Sequence, residues 1–221
     1  AAVLSEDKRT ITFDSDAYVE ALEAARVWIN EEKIMGIHFG GDGWEYWYKT
    51  IDDVMQGRAG GYLGSSGDQG DLDFDIIAAH VQPGFGDHAP APYADAHAAG
   101  IVEKASEEQK QAAYKWLTYL NRTGGMKFAM ATGYVPVRRS VRDNEEYKAF
   151  LEENPQALIP LEQAEISRKQ WQDLTGGGIS DALADACDLI EIENVPAGEA
   201  LDEAAAIAQQ ALDEYWAEQE E

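Results

Sequence analysis

The chain has 221 residues, enough for one large domain or two small ones at about 150 residues per domain. Its 45% hydrophobic, 10% aromatic and 27% charged residues are those of a packed globule, not of a disordered or fibrous chain. Forty-two Asp and Glu against 17 Lys and Arg give a formal charge of -25, which repels phosphate backbones and anionic headgroups and argues against nucleic-acid and membrane-surface partners.

No stretch approaches the roughly 18 unbroken apolar residues of a membrane span. The chain begins Ala1-Ala2-Val3-Leu4 with no Met and no basic flank, which reads as the product of processing or truncation. Ser15 and Asp16 open a helix on which Tyr18, Leu22, Ala25 and Ile29 share a face. A loop with Gly36, Gly40, Gly41 and Gly43 follows, then a second helix with Trp44, Trp47, Tyr48, Ile51, Val54 and Met55 on one stripe, stopping at Gly57. Residues 58–63 and 74–81 read as strands about a Gly64-Ser65-Ser66-Gly67 turn, and 98–102 as a short third strand. Ser106 with Gln109 makes a capping box for a helix striped by Ala112, Ala113, Trp116, Leu117 and Leu120. Gly124-Gly125 breaks it, a short helical piece runs to Met130, and residues 132–140 form an extended loop. Four helices are expected over 143–153, 161–174, 181–192 and 196–216, the last opened by Pro196. Strands among many helices imply an α/β layer architecture.

Catalytic signals are weak. His80, Asp87, His88, Asp95 and His97 offer imidazole and carboxylate, but at spacings that match no zinc motif. Asp71, Asp73 and Asp75 copy the start of a calcium loop, yet Ile76 stands where its glycine belongs. Asp42 with Glu45 is one of many carboxylate pairs of the kind that glycoside hydrolases use, and their abundance removes the signal. No nucleophile elbow or phosphate loop is present, and the only cysteine, Cys187, excludes an intrachain disulfide and reads as a small buried hydrophobe. No catalytic residue, metal or cofactor is expected. The feature above background is Gly40-Gly41-Asp42-Gly43-Trp44-Glu45-Tyr46-Trp47-Tyr48, aromatics beside a glycine loop, which suits a platform for sugar rings as well as a core.

Thr132-Gly133-Tyr134-Val135-Pro136-Val137-Arg138-Arg139-Ser140, with the Ala112-Ala113-Tyr114-Lys115-Trp116-Leu117 helix before it, resembles the family 1 extracellular solute-binding proteins of ABC importers, the group with maltose-binding and glycerol-3-phosphate-binding members. Val54-Met55-Gln56-Gly57-Arg58-Ala59 is similar to that family's helix-to-strand junction, and Gly198-Glu199-Ala200-Leu201-Asp202-Glu203-Ala204 to its terminal helix. The match is to the C-terminal half of such a protein.

The resemblance implies a two-lobe, type II periplasmic-binding-protein fold, mainly its C-terminal lobe. Residues 1–97 would be the first part of that lobe, 98–131 a crossing segment belonging to the N-terminal lobe, and 132–221 the second part of the C-terminal lobe. It implies binding without turnover of a sugar or polyol between lobes. The implied ligand-binding residues are Trp44, Trp47, Gly64, Ser65, Ser66, Asp68, Tyr93, Asp95, His97, Gly133 and Tyr134. The implied partner is an importer's membrane permease and the complete protein is expected to be a monomer. It would work in the periplasm or outside the cell, tethered or free. The alternative from another class is a carbohydrate-active hydrolase domain using a carboxylate pair.

Overall fold

The computed structural model describes residues 2–40 and 42–220; Ala1, Gly41 of the glycine loop and Glu221 of the acidic tail lie outside them. In chain order the helices are α1 (Asp16–Arg26), α2 (Glu45–Met55), α3 (Glu107–Tyr119), α4 (Gly125–Thr132), α5 (Arg139–Arg142), α6 (Glu145–Glu153), α7 (Ile159–Ile166), α8 (Gly178–Glu191) and α9 (Ala197–Glu220). Two short strands, β1 (Tyr93–Ala94) and β2 (Arg168–Lys169), pair in parallel with Tyr93 opposite Arg168. The chain divides into two compact units, Ala1–Ile37 with Gln170–Glu221, and His38–Lys169.

The first unit is built on α8 against α9. Ala197, Ala200, Ala204, Ala205 and Ala208 give α9 a smooth face, with Leu201 and Leu212 projecting from it, and all seven are buried. Small residues let the α8 backbone come close, and Ile179, Ala182, Ala186 and Ile190 bury from the other side. Phe13, Val3 and Ile11 close the core from the N-terminal segment, where Leu4 bridges Ile11. Each fully buried Ile, Leu or Phe contributes roughly 1.5–3 kcal/mol. Helix ends are satisfied by side chains: Asn30 Nδ2 donates to the Glu191 carbonyl at 3.1 Å near the end of α8, and the Ala197 amide donates to Glu23 Oε2 at 3.0 Å at the start of α9.

In the second unit, Met126 and Ala129 of α4 pack with Val141, Tyr147 and Leu161 from α5, α6 and α7. The capping box at Ser106 forms as its sequence predicts, Gln109 N donating to Ser106 Oγ and Ser106 N to Gln109 Oε1. No residue of the helix it starts is buried.

Several strand expectations are corrected. Residues 58–63 form no ladder because the chain there caps α2: the amides of Arg58 and Ala59 both donate to the Asp53 carbonyl, and the Arg58 side chain pairs with Asp52 and Asp53. Residues 74–81 are turned out of a strand at their start, where Asp73 Oδ1 accepts from the Asp75 amide and Ile76 N donates to the Asp73 carbonyl. Residues 98–102 lead into a turn closed by Ala105 N to the Val102 carbonyl. The helix expected over 161–174 starts earlier and stops at Ile166, since Ser167 takes an extended backbone and Arg168–Lys169 are drawn into pairing with β1. The break expected at Gly124-Gly125 falls instead at Arg122 (φ -121°, ψ -108°), within a π turn, and Gly125 already begins α4.

Candidate functional site

The predicted ligand residues all fall in the second unit, and most of them meet around Asp68, the one charged residue buried among those described, at 6% exposure. Asp68 sits in the 3-10 turn Ser66–Asp71, where a capping box fixes it: Ser65 N donates to Asp68 Oδ2 at 2.9 Å and Gly67 N to Ser65 Oγ at 3.1 Å. From α2, Trp47 Nε1 donates to Asp68 Oδ1 at 2.9 Å. Tyr62 adds its hydroxyl to Oδ2 at 3.1 Å. Three donors on one carboxylate offset the cost of burying it. Burial first, then the charges of Asp68 and Asp71, push the Tyr62 hydroxyl well above the usual tyrosine range, so it stays a donor.

Along α2 the stripe divides as its position demands. Ile51 and Val54 are buried, Trp47 is half-buried, and Trp44 at the N-terminal end is 67% exposed. The two indoles stand edge to face at 6.4 Å, with Tyr46 6.4 Å from Trp44.

On the other side of the Ser66–Asp71 turn lies Tyr134. A Cβ on Gly67 would fall 2.4 Å from Cζ of that ring, so the absence of a side chain there is what lets Tyr134 close over the turn. Gly133, at φ +85°, ends α4 in the left-handed region with Ser66 O and Gln69 Cβ directly against it. Tyr134 stacks on Phe128 at 5.6 Å, and its hydroxyl lies 3.0 Å from His97 Nε2. Trp44, Trp47, Gly64, Ser65, Ser66, Asp68, His97, Gly133 and Tyr134 thus join in one chain of contacts from four separate segments. Tyr93 and Asp95 are exposed, and Tyr93 is engaged through its backbone pairing with Arg168.

Sequence reasoning missed Tyr62 and Phe128. Tyr62 was hidden inside an apparent strand, although a Tyr two residues before a Gly-Ser-Ser-Gly turn is a usable signal; Phe128 carries none that separates it from a core residue.

A cleft of about 80 Å³ beside the cluster, lined by Gln69, Gly133, Met130, Phe150, Asn154 and Gln156 among others, has room for a few waters and falls well below the ~300 Å³ of ordinary small-molecule pockets. A larger hollow of about 320 Å³ in the first unit runs between Arg9, Asp213 and Trp216. Its polar groups serve one another: Arg9 lies 4.6 Å over the Trp216 ring and pairs with Glu220 at 3.1 Å.

The other candidates gain no support. Among the described residues no group of three or more His, Cys, Asp or Glu is placed to hold a metal. Glu45 pairs with Lys49 at 2.9 Å, and that hydrogen bond holds its carboxyl below the usual range, the reverse of what a general acid needs. Cys187 is half-buried rather than fully buried, and burial, then Glu191 and Asp188, push its thiol up to about 11. No described helix is long and apolar enough to cross a membrane.

Two solved structures superpose on this chain. UgpB from Mycobacterium tuberculosis, in complex with glycerophosphocholine, superposes with a TM-score of 0.74 at 22% identity, over 93% of this chain and 51% of that one. The cyclic alpha-maltosyl-1,6-maltose binding protein from Arthrobacter globiformis gives 0.66 at 19% identity, over 95% and 52%. The fold is that of two-lobe periplasmic binding proteins, and the chain spans about half the length of each. Residues 2–156 match the bacterial extracellular solute-binding protein family, and the chain belongs to it. No curated protein matches significantly.

Proposed function

We propose that this chain is the C-terminal half of the solute-binding component of an ABC importer, holding a carbohydrate or related polyol in an interlobe cleft without turnover. The observation that carries it is the Trp47–Asp68–Tyr134–His97 cluster, in which half-buried aromatic rings stand beside hydroxyl, imidazole and carboxylate groups, with the exposed Trp44 against Trp47. Aromatic faces stack on sugar rings while the polar groups bond hydroxyls. Membership of a solute-binding family and the maltosyl-maltose ligand of one solved neighbour support the same class, and the other neighbour holds a glycerol derivative, glycerophosphocholine. The permease is the partner, the complete protein a monomer, and the site of action the periplasm or cell exterior, with a lipid or membrane tether as the alternative to free diffusion.

Residues 98–131 are proposed as the segment that visits the N-terminal lobe. In support, the large side chains of Tyr114, Trp116 and Tyr119 on α3 are all more than half exposed. Met126 and Ala129, near the segment's end, pack with Val141 and Tyr147.

Titration calorimetry against a panel of mono- and oligosaccharides, followed by chromatography of the recovered ligand, tests the function. Saturable binding with intact ligand is the expected result. Released product would establish the hydrolase reading instead.

A further inference from the structure

Three donors converge on the Asp68 carboxylate. Trp47 Nε1 on α2 reaches Oδ1 at 2.9 Å, while Ser65 N at 2.9 Å and the Tyr62 hydroxyl at 3.1 Å share Oδ2. At 6% exposure, little of the group is left for a ligand to reach. The aromatic rings are fixed by the same contacts. A Cβ on Gly64 would fall 2.3 Å from Cε2 of Tyr62 and 2.5 Å from Asp68 Oδ2, so the missing side chain is what lets the tyrosine lie against the turn. The indole of Trp47 is tied to that turn by its N–H, with Trp44 standing edge to face against it at 6.4 Å. Rotating the indole about its side-chain bonds gives up a hydrogen bond to a charged acceptor, the stronger kind. The arrangement selects Asp over Asn, because an amide has a single acceptor oxygen: whichever way it turned, its NH2 would face either the indole N–H or the Ser65 amide.

We infer that Asp68 is a positioning residue, which fixes the plane of the Trp47 ring for a ligand that it does not itself touch. This rests on the binding function proposed above and narrows it: the ring, hydroxyl and imidazole groups meet the ligand, and the carboxylate acts through Trp47. A ring fixed before binding has less side-chain freedom to lose when a sugar stacks on it, which is how a group out of contact raises affinity.

The test is a double-mutant cycle on the full chain. Calorimetry with glucose, maltose and glycerol identifies the tightest of the three, which is then titrated into Asp68→Asn, Trp47→Phe and the double variant, each with folding verified by circular dichroism. Asp68→Asn is expected to weaken binding about fivefold or more in the parent and less than about twofold in the Trp47→Phe background. Equal weakening in both backgrounds overturns the inference and leaves the binding function standing. Unchanged affinity in folded Asp68→Asn also overturns it, and leaves Asp68 a stabilising residue alone. No binding of any of the three by the parent chain overturns the binding function, and the inference with it. A measurement without Asp68 variants completes the test: the Trp47 indole N–H of the free chain is expected to exchange with solvent at least about tenfold more slowly than that of Trp44, which is 67% exposed. Equal exchange rates overturn the inference.

Discussion

The indole N–H of Trp47 on α2 donates to the carboxylate of Asp68 at 2.9 Å, joining a helix to a turn 21 residues further along the chain. The residue proposed to present a ring face to ligand thus also donates to the buried carboxylate of Asp68. Trp47→Phe keeps an aromatic ring and removes the donor, and hydrogen bonds to charged groups are worth about 1.5–3 kcal/mol. The half-exposed setting of Trp47 places the expected loss of unfolding free energy near the lower figure, read from urea denaturation. Trp47→Ala should in addition weaken ligand binding by roughly tenfold or more, since stacking adds about 0.5–1.5 kcal/mol beyond burial of the ring. Equal affinities for Trp47→Ala and the parent protein, with the fold intact, would make Trp47 a structural residue alone.

Gly67 and Gly133 flank the same turn, yet their replacement by alanine should differ. The atoms that a Cβ on Gly67 would meet are the outer ring and hydroxyl of Tyr134, which can swing aside. Gly67→Ala is therefore expected to cost about 1 kcal/mol or less while breaking the Tyr134–His97 contact. Gly133→Ala would place a Cβ 2.6 Å from the backbone oxygen of Ser66 at φ +85°, where the chain cannot yield cheaply. A loss of at least about 2 kcal/mol is expected. Thermal melts of the two variants compare them, and similar losses would contradict the distinction.

Asp173 gives the first unit a dependence on acid pH. Burial pushes its carboxyl up, but hydrogen bonds from the hydroxyls and amides of Thr175 and Ser180 outweigh it and hold it at about 2, against 3.8 when unfolded. A depressed value means stability that is fully present above pH 3.8 and is lost as pH falls towards 2. The full linkage would be about 2 kcal/mol, and solvent screening at this partly exposed group brings the expectation nearer 1 kcal/mol. In Asp173→Asn the decline in stability between pH 4 and 2 should be shallower than in the parent. Parallel curves would show that Asp173 has no part in it.

A formal charge of -25 on 221 residues predicts a fold that gains from salt. Added ions screen the self-repulsion, and at 1 M the screening length is about 3 Å. The melting temperature should rise with sodium chloride up to about that concentration. A flat or falling midpoint would count against it.

The sequence by itself determined the local structure that side chains close in sequence can make: the Ser106–Gln109 capping box, the α2 stripe from exposed Trp44 to buried Val54, and the alanine face of α9. Each is decided within one or two turns of chain, by hydrogen bonds to neighbouring amides or by helical periodicity. Motif order likewise pointed to the solute-binding family to which the chain belongs. Only the tertiary structure decided the rest. Residues 58–63 have a strand's composition, but a strand exists only where a partner offers a ladder, and Asp53 claims their amides first. Asp68 looked like any acid beside a turn until the fold brought Trp47 and Tyr62 to it. Gly67 and Tyr134 are 67 positions apart in the chain, so the close approach that makes one necessary for the other is a property of the folded surface, where distances along the chain no longer apply.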